Sequence, residues 1–179
     1  MTALEAVRAR RSWSRVTDDA PRRDELLELI SAAGRVADHS GLKPWRLIEL
    51  RDDDRVRLGR AINKSLGEKG ASTKPLRAPL IIAIVARRRK SDKVPGWEQD
   101  AVASGVAHVL SLLLDEAGWG VIWRTGSATR AKAVAKAHGL AKNERLLGWL
   151  YVGGKPAGKR GGVRHGVDAR AFLSRMPQS

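Results

Sequence analysis

The sequence predicts a mixed domain, α/β or α+β, and three observations carry that prediction. Some stretches space their apolar residues at helical intervals, others hold them in short continuous runs, and the two kinds alternate along the chain. One long segment, Trp97 to Gly118, is apolar over most of its circumference, as a central core helix would be. At 179 residues the chain can bury most of its apolar surface without staples. It has no cysteine, which excludes disulfides, thiolate nucleophiles and cysteine metal sites and agrees with a reducing compartment.

The elements follow in order. Thr2 suits the cap of a short first helix running through Arg10. Pro21 fits a first helical turn, and RRDELLELISAAGRVA spaces its leucines and isoleucine as a second helix to about Gly34. In HSGLKPWR, Gly41 and Pro44 interrupt both periods, so a loop is expected. RLIEL is a short strand, and DDDRVRLGRAINKSLGEKG opens on capping aspartates and ends on glycine like a surface helix. LIIAIVA reads as a buried strand before the central helix. GVIW is a third strand, TRAKAVAKAHG a helix and LLGWLYVGG a last strand. The segment 154–179 turns basic and Gly-rich, with a short helix expected at Asp168 to Ser174. Nothing divides the chain, so one domain spanning 1–179 is expected.

Thirty-four Lys and Arg against 19 Asp and Glu give a formal charge of +15, a field that attracts phosphates, nucleotides and nucleic acid. Only Arg87 to Lys90 (RRRK) and Lys155 to Arg164 are nearly pure basic runs, and both read first as solvated surface. The longest apolar run, APLIIAIVA, is far short of the roughly 20 residues of a membrane helix. The polar, basic start is unlike a signal peptide, so a soluble cytoplasmic protein with no membrane partner is expected. His39, His108, His138 and His165 lie too far apart for metal-ligand spacing, and no metal site is expected. Asp18, Asp19 and Asp52 to Asp54 sit where helices open, which accounts for them without catalysis. No P-loop, dinucleotide-binding glycine motif or nucleophile elbow occurs. Few catalytic patterns beside many anion-binding groups suggest chemistry carried by a phosphate-bearing cofactor.

RARRSWSRV, Arg8 to Val16, sharpens that suggestion. It sets four arginines and two serines in nine residues, which is either a solvated helix end or a phosphate site. With RVADHSGLKPWRLIEL, RAPLIIAIVA, GWGVIWRTG and LLGWLYVGGKP, in this order, it resembles the nitroreductase family of FMN flavoproteins, in particular its compact bacterial branch. The resemblance runs from about Ala3 to Pro156.

The resemblance implies an α+β fold, a central antiparallel sheet wrapped by helices, in a homodimer with FMN at the interface. It assigns Arg10, Arg11 and Ser12 to the FMN phosphate and ribityl chain. Arg35 and His39 form a second segment reaching the flavin of the opposite subunit. Trp123, Arg124 and Thr125 form a third, where Thr125 offers a hydroxyl and Trp123, with Trp119, is a flavin wall or simply core. NAD(P)H as co-substrate would deliver hydride, and a small-molecule electron acceptor such as a nitroaromatic or quinone would take it in the same place, a ping-pong scheme with no catalytic acid or base from the protein. Two departures stand out: Ser14, followed by Arg15, replaces a frequent basic residue, and Lys43 precedes Pro44-Trp45 in place of glutamine. Lys159 and Arg160 are candidates for a further phosphate ligand, against a solvated tail. A flavin-storing protein without turnover is the alternative; a nucleic-acid-binding module is the poorer one, because the basic runs are short.

Overall fold

A computed structural model describes residues 2–158 and 164–177. The helices are α1 (Ala3–Ala9), α2 (Arg23–Ala33), α3 (Asp52–Ser65), α4 (Gly96–Glu116) and α5 (Lys132–Ala137). The strands are β1 (Trp45–Leu50), β2 (Leu80–Arg87), β3 (Trp119–Arg124) and β4 (Glu144–Gly154). They form one antiparallel sheet in the order β1-β2-β4-β3. Because β2 and β3 both run against β4, they run the same way as each other. The long helix α4 is the crossover that such a pair requires, and it leaves room for β4 between them.

The sheet is central because β2 is apolar on both faces. Leu80, Ile82 and Ile84 point into a layer with Leu26 and Ala33 of α2 and Val106, Leu110 and Leu114 of α4. Ile81, Ala83 and Val85 point the other way, into a layer with Leu58, Ala61 and Ile62 of α3 and Val134 of α5. A continuous apolar run is therefore a strand covered on both sides. The pairing of β2 with β4 is interrupted between Ile84 and Val85, which face Gly148 and Leu146, so Leu147 is extra.

Local chemistry sets the ends. Thr2 and Glu5 form a reciprocal capping box on α1: the Glu5 amide donates to Thr2 Oγ1 at 3.2 Å and the Thr2 amide to Glu5 Oε2 at 2.7 Å. Pro21 lies outside α2, ahead of its N-cap Arg22. None of the three aspartates of α3 accepts a capping bond; they lie in the first turn, where the helix dipole favours them, and Asp54 pairs with Arg57 at 3.0 Å. The expected TRAKAVAKAHG helix is split. Its beginning is a 3-10 turn over Ser127–Arg130, held by Thr129 Oγ1 donating to the Gly126 carbonyl at 2.8 Å, and Ala131 is extended before α5 starts. Among the described residues of the tail, the helix expected at Asp168 to Ser174 is a 3-10 turn, Ala169–Ala171, capped by Asp168. No described helix is long and apolar enough to cross a membrane.

Candidate functional site

After α1 the arginine-rich segment crosses the β3–β4 end of the sheet. The Trp13 amide donates to the Val121 carbonyl at 3.0 Å, the Thr17 amide to the Gly154 carbonyl at 2.9 Å, and the Gly154 amide to the Asp19 carbonyl at 2.9 Å. Glycines make this approach possible. A Cβ on Gly153 would lie 2.6 Å from the Thr17 carbonyl oxygen, and one on Gly120 would lie 2.9 Å from Val16 Cγ1. Gly120 and Gly153 are thus the seat of the end of the RARRSWSRV segment and of Thr17 after it.

Arg10 is the C-cap residue of α1 and half-buried. Burial lowers its pKa, as do the like charges of Arg164 and Arg11, while Asp115 opposes them. A cation held under those conditions is stabilised by an arriving anion. Arg11 donates from Nη1 to the carbonyls of Arg8, Ala9 and Arg10 at 2.6, 2.9 and 3.0 Å, so it closes the helix end. Ser12 is exposed beside them. Lys155 anchors the end of β4 here: its Nζ donates to the Asp115 carbonyl at 2.8 Å and lies 5.8 Å from the centroid of the Trp13 ring. Lys159 and Arg160 lie outside the described residues.

Trp123, Arg124 and Thr125 end β3. Trp123 faces α4 and meets His108 edge-on, with ring centroids 4.9 Å apart. Its Nε1 is buried and has no hydrogen-bond partner among the described residues. Trp119 Nε1, in contrast, donates to Glu25 Oε1 at 2.6 Å, which makes Trp119 part of the α2 packing. Arg124 faces two adjoining cavities. One, about 370 Å³, is lined by Lys74, Arg77, Arg124, Thr125, Trp149 and Tyr151 among others; the second, about 590 Å³, by Ser14, Arg15, Val16, Arg77 and Arg124.

What marks this basin is that its cations converge on cavities. Several arginines elsewhere are neutralised: Arg46 by Glu144, Arg88 by Asp100, Arg51 and Arg23 by Glu49. Among the described residues Lys74, Arg77, Arg15 and Arg124 form no ion pair, and no carboxylate lines either cavity. The sequence reading missed Lys74 and Arg77 as site residues. A signal was present, since residues 69–91 contain no acidic residue.

Arg10, Arg11 and Ser12 line neither cavity, and Arg35 and His39 are not brought to this basin. Arg35 is exposed just beyond α2, and His39 Nδ1 lies 3.1 Å from Oε2 of Glu98, in the first turn of α4. The loop between them and β1 is tight: Asp38 Oδ2 accepts the Lys43 amide at 2.7 Å, and Ser40, Gly41 and Lys43 have positive φ. Arg10 senses Asp115 at the other end of α4. At about 1.5 Å per residue, Glu98 and Asp115 are some 26 Å apart along the helix.

The sequence profile of the nitroreductase family matches residues 7–154. "Putative NAD(P)H nitroreductase YdjA" of Escherichia coli is 32% identical over 161 residues, covering 86% of this chain and 88% of the relative. The chain belongs to the nitroreductase family, a family of oxidoreductases. Solved structures share the fold. A nitroreductase-like family protein from Bacillus cereus superposes with a TM-score of 0.83 at 20% identity, covering 99% of this chain and 97% of that one. The FMN and NADPH-dependent nitroreductase NfnB from sphigopyxis sp. strain HMH does so at 0.76 and 17%, covering 99% and 100%.

Proposed function

We propose that the chain is an FMN-dependent oxidoreductase, acting as a homodimer, that passes hydride from NAD(P)H to a small-molecule acceptor such as a nitroaromatic or quinone. The observation that carries this reading is the set of unpaired cations, Arg15, Arg77 and Arg124, converging with hydroxyls on one basin that no carboxylate lines. Forked guanidinium groups beside hydroxyls suit an anionic ring edge in the basin and, at Arg10, Arg11 and Ser12, a phosphate, so the two donor sets together fit FMN. Family membership and the cofactor of NfnB point the same way.

Bound FMN supplies two-electron redox chemistry, for which the side chains of this protein have no substitute. Arg10, Arg11 and Ser12 would hold its phosphate end. To do so Arg11 exchanges contacts with its own helix carbonyls for contacts with the anion. Arg124 and Thr125 would hold the ring end, with Trp123 behind them. Arg15 takes the place of the basic group missing at Ser14 and favours negative charge in the basin. Among the described residues no imidazole or carboxylate lines the cavities, and in this reading water supplies the protons to a reacting acceptor. Arg35 and His39 lie too far along α4 to meet the same ligand from the same chain, which favours their reaching the site of a second subunit.

Steady-state oxidation of NADH and NADPH at several acceptor concentrations tests the scheme. Two co-substrates sharing one seat give parallel double-reciprocal lines. Intersecting lines contradict the shared seat, and no oxidation with any of several acceptors leaves a flavin-storing protein.

A further inference from the structure

We propose that the basin selects an acidic aromatic acceptor, a flat ring carrying a carboxylate. The proposal rests on the flavin reading and adds which acceptors the site takes. The 370 Å³ cavity is lined by two unlike sets of side chains. Ile62, Leu66 and Trp149 are apolar, whereas Lys74, Arg77 and Arg124 are cationic.

Charge balance supplies the second argument. A phosphomonoester carries about −1.5 to −2 charges near neutral pH, which Arg10 and Arg11 can offset. Lys74 and Arg77 then still lack a counter-charge among the described residues, and they line the same cavity as the apolar side chains. A neutral ring would meet the apolar lining and leave these cations unanswered. An aromatic acid satisfies both at once. Burial raises the Tyr151 phenol above its ordinary pKa, so Tyr151, which also lines the cavity, stays protonated and adds a neutral donor.

For a nitroaromatic acid the net step balances simply. The nitro group receives one hydride equivalent from NAD(P)H and one proton from water. One N–O bond breaks, the oxygen leaves as water, and the nitro group becomes nitroso while NAD(P)H becomes NAD(P)⁺. The carboxylate takes no part beyond anchoring.

The test compares para-nitrobenzoate with para-nitrobenzamide, which share ring and shape but differ in charge. Binding is followed by quenching of tryptophan fluorescence, since Trp149 lines the cavity, and turnover by kcat/KM. The acid should be favoured about tenfold or more at low ionic strength by both readouts, and the preference should shrink as salt rises. Lys74→Gln with Arg77→Gln should bring the ratio close to one, and Arg77→Lys should retain it. Equal or better use of the amide by the unmodified protein overturns the proposal, as does a preference that survives the double substitution. Flavin absorbance of the same samples keeps the two readings apart. A yellow, active protein without acid preference refutes this inference alone; a colourless protein that still binds the acid more tightly leaves acid selection standing and refutes the flavin reading.

Discussion

Gly148→Ala should damage the fold and the site together. Gly148 has φ +150°, and a Cβ there would lie 2.3 Å from Trp123 Nε1, 2.6 Å from the Arg124 carbonyl oxygen and 3.0 Å from Thr125 Cγ2. All three neighbours belong to the segment that ends β3 at the basin. Holding a non-glycine residue in such a backbone conformation costs about 1–3 kcal/mol, and forcing a methyl group into filled space about as much again. The sum, about 2–6 kcal/mol, corresponds to a fall in Tm of roughly 5–20 °C for a domain of this size. Gly139→Ala is the control: φ is +59°, with nothing within 4 Å of the added Cβ, so only a left-handed backbone cost of about 1–2 kcal/mol applies. Thermal unfolding and FMN titration of both variants separate the cases. The Gly148 variant should lose flavin affinity as well as stability, and the Gly139 variant only a little stability. If Gly148→Ala melts no lower than Gly139→Ala and binds FMN normally, the account of how β4 positions Trp123 to Thr125 is wrong.

Three other expectations concern separate parts of the molecule. Arg46 bonds both carboxylate oxygens of Glu144, at 2.6 and 2.8 Å, and holds its pKa at about 2 against an ordinary 4.5. That lowered pKa contributes stability on the order of 3 kcal/mol above the unfolded value, lost as pH falls toward about 2; urea unfolding of Glu144→Gln should show a flatter acid limb. Arg10→Ala or Ser12→Ala should weaken FMN by roughly ten- to hundredfold, the effect of losing one charge-assisted contact of about 1.5–3 kcal/mol; unchanged dissociation constants in both would remove them from the site. Sedimentation should find a dimer at micromolar concentration, since Leu4, Val7, Leu27 and Trp97 are exposed and Arg35 and His39 lie away from the basin; a flavin-saturated monomer would contradict the two-subunit site.

Elements with strong local signals were legible. The apolar run of β2, the periodicity of α2 and the long apolar α4 lie where periodicity put them, because burial on one or both faces dictates those patterns. What depended on non-local partners was not legible. The order β1-β2-β4-β3 follows from α4 carrying the chain past the position that β4 later fills, and no short stretch records that. The split before α5 depends on a threonine bonding back to Gly126 rather than on helix propensity. His138 shows how chemistry can hide. Its Nδ1 lies 2.8 Å from the Val134 carbonyl and its Nε2 accepts Trp149 Nε1 at 3.1 Å, so it is a buried structural histidine whose pKa burial lowers. In the candidate site, the motif arginines were visible from the local run of charge, yet Lys74 and Arg77 were not, because they line one cavity with Arg124 through the fold rather than as neighbours in sequence.

The central claim is that the cationic basin exists to hold FMN, and the visible absorption spectrum of the purified protein tests it most directly. After incubation with FMN and gel filtration, the protein peak should be yellow, carry one flavin per chain and lose colour in Arg10→Ala. A colourless protein peak, with all the FMN eluting separately, would contradict the account.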